Sequence, residues 1–206
     1  MKDLTGKTRK PLRVAVADDE RDMREFMQEL LPRLGHEVVA VAETGAQLAE
    51  QVQAFRPDLV ITDIKMPDMD GIETSLAVNR DLQVPVILIS AHHDAETLTR
   101  VGADHIMGYL VKPVTEADVK AAIALAMTRF DQFLALRREA TDLRQALDDR
   151  KVIEKAKGVL MKRLRVDEEE AFRRMRKLAS DRNQKLVEVG RIIIAAEEVF
   201  HHLDRS

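Results

Sequence analysis

The chain has 206 residues and no Cys or Trp, which excludes a disulfide framework and a Cys-ligated zinc site. Its net charge of −3 conceals an uneven distribution: residues 150–206 hold 15 Lys/Arg against 10 Asp/Glu, whereas residues 1–149 hold 18 against 26. No apolar run is long enough to span a bilayer and no signal-peptide pattern opens the chain, so a cytoplasmic protein with no membrane partner is the expectation.

Residues 1–11 are polar and basic and read as a frayed tail. Val14 to Ala17 is a short apolar strand ended by Asp18, Asp19 and Glu20. Met23, Phe26, Met27, Leu30, Leu31 and Leu34 recur at helical spacing, and Gly35 stops that helix. Val38 to Ala42 is a second strand, and Leu48, Val52 and Phe55 mark a helix closed by Pro57. Leu59 to Thr62 forms a buried strand that Asp63 ends, before Pro67, Asp70 and Gly71 impose a turn. Ile72 to Asn79 is helical, and Pro85 to Ile89 is a strand ended by Ser90. Leu98 and Val101 lie on a short helix, and Tyr109 to Val111 is a last strand ended by Lys112-Pro113. Strands and helices alternate over about 125 residues, which argues a five-stranded parallel sheet, doubly wound and covered on both faces.

From Ala122 the pattern is helical. Phe133, Leu136, Ala140, Leu143 and Leu147 step by three and four, the seam of a short coiled coil or one face of an amphipathic helix. The helix continues from Arg150 to Leu164 with a stripe of Ile153, Ala156, Leu160 and Leu164. Asp167 and Glu170 form a capping-box pattern. The next helix is expected to bury Ala171, Phe172, Met175, Leu178 and Ala179, and the last Leu186, Val189, Ile192, Ile193, Ala196 and Phe200. These make a small three-helix all-α domain.

Four strand ends carry polar groups: Asp18/Asp19, Asp63, Ser90 and Lys112. Parallel strands bring such ends to one edge, where ligands bind. Carboxylates gathered there repel unless a cation sits among them, and an oxygen-only donor set suits Mg2+. An Asp beside Mg2+ can accept a phosphoryl group, with Lys112 and Ser90 serving its oxygens. For Asp63 alone, a turn or cap role is the plain alternative. His92-His93 and His201-His202 are poorly spaced for zinc, because adjacent side chains point to different faces.

At these residues the chain resembles the receiver domains of two-component response regulators, over about residues 12–128. The likeness rests on Asp18-Asp19, the Asp63-Ile64-Lys65-Met66-Pro67 run with Gly71, Ser90-Ala91 and Lys112-Pro113. It implies Asp63 as phosphoacceptor for a histidine kinase, with Asp19 and Asp63 as direct Mg2+ ligands. Asp18 assists, partly through water, and the Lys65 carbonyl completes the protein ligands. It further implies that Ser90 follows the phosphoryl group, that Tyr109 is the aromatic switch and that the Lys112-Pro113 bond is cis. Ser90 replaces the commoner Thr.

A second resemblance, over about residues 140–200, is to the ANTAR family of transcription antitermination regulators, whose small helical domain binds RNA. It is carried by Ile153 to Met161, Glu170-Ala171-Phe172 and Ala179 to Asn183. Arg165 stands where a Gly commonly ends the first helix, and Gly190 where Ala is usual. Gly158 in mid-helix costs about 1 kcal/mol against Ala, tolerable where a helix or an RNA backbone approaches closely. The expected contacts to short RNA hairpins are Lys155, Lys157, Gly158, Lys162, Arg163, Arg182 and Lys185. With Phe172 and Phe200 on apolar stripes, little aromatic stacking is expected.

The resulting organisation is a tail (1–11), a receiver (12–128), a helical coiled-coil spacer that makes a homodimer (129–149) and an RNA-binding domain (150–206). Self-catalysed phosphorylation and slow hydrolysis are expected, not enzymatic turnover. One alternative is a regulator whose helical tail binds a protein instead of RNA. Another, a phosphatase of the haloacid dehalogenase type, needs an Asp two residues after the nucleophile, where Lys65 stands.

Overall fold

A computed structural model describes residues 10–80, 82–91 and 105–203. The short helix expected at Leu98 and Val101, and His92-His93, lie outside the described residues. The chain divides into two compact units, one up to Leu134 and the other from Ala135.

The first unit alternates strands and helices. These are β1 (Arg13–Ala17), α1 (Arg21–Arg33), β2 (Glu37–Ala42), α2 (Gly45–Phe55), β3 (Leu59–Asp63), α3 (Gly71–Val78), β4 (Val86–Ser90) and β5 (Ile106–Val111). The strands pair in parallel in the order β2-β1-β3-β4-β5. The order reverses between β1 and β3, so the crevice beyond their carboxyl ends is the place such a sheet offers a ligand.

Side-chain alternation builds the two layers. On β1, Val14 and Val16 face a core with Met27, Leu30 and Leu31 of α1 and with Val119, Ile123, Ala126 and Phe130. Ala15 and Ala17 face the other way, toward Leu48 and Val52 of α2 and Ile72 and Val78 of α3. Every residue of β3 and β4 is buried, which is why these strands read as continuous apolar runs with no period of two.

Helix α4 (Glu116–Leu164) is a single unbroken element of 49 residues. Thr115 and Asp118 cap its start reciprocally: the Thr115 amide donates to Asp118 Oδ2 at 3.0 Å, and the Asp118 amide to Thr115 Oγ1 at 3.3 Å. Every residue from 135 to 148 is exposed.

The second unit continues with α5 (Glu168–Arg182) and α6 (Leu186–Leu203). Asp167 accepts the Glu170 amide at 2.8 Å and starts α5, as the sequence suggests. Asn183 ends α5 with φ +51°, and Arg165 ends α4 with φ +53°. Arg165 thus takes the left-handed conformation that a Gly adopts without steric cost.

The unit's core is small: Ala156, Ala171, Met175, Ala179, Val187 and Val189. Three expectations are corrected here. Phe172 is 37% exposed and Ile192 45% exposed, and Ala196 is also exposed. Their stripes are wider than the narrow seam that three short helices can close. Gly158 has no neighbour among the described residues within 4 Å of where a Cβ would stand, so none of their helices accounts for it. Gly190 is the glycine that matters for packing. A Cβ there would meet Val152 Cγ1 at 3.2 Å and Ala156 Cβ at 3.5 Å, so its absence lets α6 approach α4 closely.

Candidate functional site

The carboxyl ends of β1, β3, β4 and β5 deliver Asp18, Asp63, Ser90 and Lys112. Asp18, Asp19 and Asp63 each present a carboxylate oxygen to a common point, the three oxygens lying within 4.8 Å of one another. Asp18 and Asp63 are buried, while Asp19 is exposed and closes the group from the solvent side. Lys112 Nζ stands 3.1 Å from Asp63 Oδ2, 3.1 Å from Asp18 Oδ2 and 3.4 Å from Glu20 Oε2. The Lys112-Pro113 bond is cis.

Backbone geometry orients each carboxylate. The Ile64 amide donates to Asp63 Oδ1 at 2.7 Å, leaving Oδ2 turned to Lys112. The Glu20 amide donates to Asp18 Oδ1 at 2.9 Å. Gly71 lets α3 start against the strand end: a Cβ there would fall 2.2 Å from the Asp63 carbonyl oxygen. Ser90 is buried, and its carbonyl accepts the Lys112 amide at 2.7 Å. Tyr109 is half-buried against the α2/α3 side of the sheet. Lys65 is exposed on the loop that leaves β3.

The electrostatics match this crowding. Burial raises the Asp18 pKa above the ordinary carboxylate value, against the Glu20 amide and Lys112, and the neighbouring Asp63 charge adds to it. Burial also opposes the Lys112 charge. The Asp18 hydrogen bond and charge, with those of Asp63, outweigh it and hold the ammonium above its usual pKa.

The residues fit a divalent cation. Asp18 Oδ2 is buried and makes no hydrogen bond among the described residues; Lys112 stands 3.1 Å from it as a charge. An oxygen-only set with an unsatisfied carboxylate oxygen suits a hard cation.

Three residues around the site escaped sequence reasoning. Glu20 reaches Lys112. Arg24 holds the backbone of the acidic loop. Asp68 accepts the Gly45 and Ala46 amides at 3.1 Å each, so the loop after Asp63 caps α2. Four amide and hydroxyl partners, from Ala46, Met69, Gly45 and Thr44, outweigh desolvation and lower the Asp68 pKa. The Glu20 and Asp68 contacts join loops distant in sequence, and Arg24 acts on backbone carbonyls five and six residues before it, so none leaves a spacing signal.

In the second unit the expected RNA contacts separate into two groups. Lys157 is only 7% exposed, and its ammonium bridges Glu154 at 2.7 Å and Glu168 at 2.6 Å. The Glu154 hydrogen bond, then that of Glu168, raises its pKa. Such an ammonium joins α4 to the start of α5 and has little left for a phosphate. Arg163 pairs with Glu197 at 2.6 Å, and Lys155 lies 3.6 Å from Glu198. Lys162, Arg182 and Lys185 are exposed, and none makes an ion pair among the described residues. The Glu188 carboxylate accepts the Lys185 amide at 3.1 Å and does not bridge to Arg182.

A doubly wound parallel sheet thus carries an acidic cluster at its switch point and is followed by a helical unit. Residues 14–124 match the response regulator receiver domain and residues 141–194 the ANTAR domain. The chain belongs to the response regulators that join a receiver to an ANTAR domain. It is 34% identical over 184 residues to the transcriptional regulatory protein PdtaR of Mycobacterium tuberculosis, covering 89% of this chain and 90% of that one. It is 36% identical over 112 residues to the chemotaxis protein CheY of Bacillus subtilis, 54% of this chain and 93% of that one. The solved receiver domain of a response regulator NarL from M. tuberculosis superposes with a TM-score of 0.53 at 32% identity, over 56% of this chain and 94% of that one. No helix among the described residues is long and apolar enough to cross a membrane.

Proposed function

We propose that the chain is phosphorylated on Asp63 by a histidine kinase and controls transcription by binding RNA hairpins, as an antiterminator, through its C-terminal helices. The observation that carries the first half is the meeting of Asp18, Asp19, Asp63 and Lys112 at the switch point of the sheet. Asp63 Oδ2 attacks the phosphorus of a phosphohistidine; a P–O bond forms, the P–N bond breaks and the imidazole leaves with a proton. The Ile64 amide holds Oδ1, so one oxygen of Asp63 is fixed as the nucleophile. Lys112 moves with its charge to the phosphoryl oxygens, and Ser90 donates its hydroxyl there. Asp18, Asp19, Asp63 and the Lys65 carbonyl would hold Mg2+, which when bound neutralises charge on the transferring group. Tyr109 follows Ser90 as the switch, and turnover is confined to slow hydrolysis of the protein's own acyl phosphate.

The receiver (12–128), the spacer (129–149) and the output domain (150–206) act in that order, with the exposed spacer pairing two copies. In the output, Lys162, Arg182 and Lys185 take phosphates or loop bases, and Lys155 and Arg163 join them by exchanging carboxylate partners. Gly158 leaves room for a backbone to approach, and Lys157 holds the surface in shape. A second reading, a helical unit that binds a protein, is favoured by exposed Leu164, Ile192 and Val199.

Acetyl phosphate with Mg2+ is expected to label the chain, and Asp63→Asn to abolish labelling; undiminished labelling of that variant overturns the acceptor. Sequencing of RNA recovered with the phosphorylated full chain is expected to enrich hairpins. A protein partner retained without RNA establishes the second reading instead.

A further inference from the structure

We infer that Arg24 is a positioning residue for the cation, fixing the backbone of the acidic loop from behind; this rests on the cation reading above. Two of the three carboxylates, Asp18 and Asp19, sit on the short segment between β1 and α1. Their direction depends on that backbone, which the Asp18 amide ties to the Ala42 carbonyl at 3.3 Å and which Arg24 grips by its carbonyls. Arg24, in the first turn of α1, donates from one guanidinium nitrogen to the Asp18 carbonyl and to the Asp19 carbonyl, each at 2.9 Å. Its other terminal nitrogen meets Glu43 Oε1 at 2.5 Å. The Arg24 side chain is only 11% exposed, so the arrangement is packed in place.

Glu43 is itself anchored. Its amide donates to Gln47 Oε1 at 2.9 Å, and the next turn gives the Gly45 and Ala46 amides to Asp68. The loop at 43–46 therefore braces the acidic segment through Arg24 and the segment after Asp63 through Asp68. A planar guanidinium can span two carbonyls and a carboxylate at once; a Lys ammonium on a flexible stem does not reproduce that fork.

Charge alone predicts the opposite sign. A cation beside a divalent ion repels it, so removing Arg24 tightens Mg2+ binding if only Coulomb terms act. A positioning role predicts weakening, on the scale of roughly 10–100-fold found when outer-shell partners of metal ligands are removed.

The test titrates Mg2+ into the cation-free full chain by calorimetry, for the wild type, Arg24→Gln, Arg24→Lys and Glu43→Gln, with melting midpoints taken without Mg2+. Both Arg24 variants are expected to bind Mg2+ about 10–100-fold more weakly. Glu43→Gln is expected to weaken binding by a smaller factor, and Arg24→Lys, which keeps the charge and loses the fork, stands in if Arg24→Gln fails to fold. Tighter binding by Arg24→Gln overturns the proposal in favour of a charge effect. A lowered midpoint with unchanged affinity overturns it in favour of a merely structural role. Absence of Mg2+ binding by the wild type overturns the cation reading itself, and this proposal with it.

Discussion

Substituting Leu136 and Leu143 together by Asp is expected to abolish self-association. Leu136, Leu143 and Leu147 are 66%, 60% and 59% exposed, on a stretch where every residue from 135 to 148 is exposed. Fully burying a Leu contributes about 1.5–3 kcal/mol, so closing the exposed three-fifths of each contributes roughly 1–2 kcal/mol. Three leucines from each of two copies give about 6–12 kcal/mol gross, against an association cost of about 4–15 kcal/mol. The double substitution removes two-thirds of that gain and places four carboxylates in the seam. At about 1.4 kcal/mol per tenfold, the dimer dissociation constant is expected to rise about a thousandfold or more. Sedimentation equilibrium over a wide concentration range, with and without acetyl phosphate, measures it. Circular dichroism and Asp63 labelling are expected to be unchanged, because these positions touch neither core. A wild type that is monomeric under every condition, or a double variant that associates as the wild type does, refutes the seam.

Arg165→Gly is expected to stabilise the chain by up to about 1 kcal/mol, because the residue sits at φ +53° and a non-Gly residue there costs about 1–3 kcal/mol, part of which glycine's unfolded-state entropy takes back. A melting midpoint that stays or falls contradicts this account. Burial lowers the pKa of His36, whose Nδ1 accepts the Leu12 amide at 3.3 Å. Its neutral form is the folded one, so stability is full above the ordinary value of 6.5 and declines as pH falls below it toward the lowered folded pKa. His36→Gln should flatten that part of the stability–pH curve, and an identical curve removes His36 from the explanation. Lys157→Met is expected to lower the melting midpoint by breaking the Glu154 and Glu168 pairs. Arg182→Ala is expected to melt normally while weakening hairpin binding and reducing its logarithmic salt slope by about 0.7. The reverse pattern in the two variants exchanges their roles.

The strand–helix alternation and the polar strand ends were legible in the sequence because they are local. A buried parallel strand must be continuously apolar, and its last residue falls at the ligand edge whatever its partners are. The cap at Asp167 was legible for the same reason: it acts on an amide three residues away. Helix faces were less legible. Phe172 and Ile192 lie beside apolar stripes, but three short helices bury only a narrow strip, and which side of the stripe closes depends on helix crossing.

That Asp18, Asp19, Asp63, Ser90 and Lys112 share one edge follows from the order of residues alone. Periodicity and chain direction are enough for that, given right-handed crossovers. How the edge is held is a matter of packing in three dimensions. Glu43 bracing Arg24, and Asp68 capping α2, join loops brought together by the strand order β2-β1-β3. The structure also decided that Lys157, one of many basic residues in the sequence, is enclosed by two glutamates while Arg182 faces solvent. Charge is written in the sequence, but its availability depends on which carboxylates the fold brings within 4 Å, and that is a property of packing.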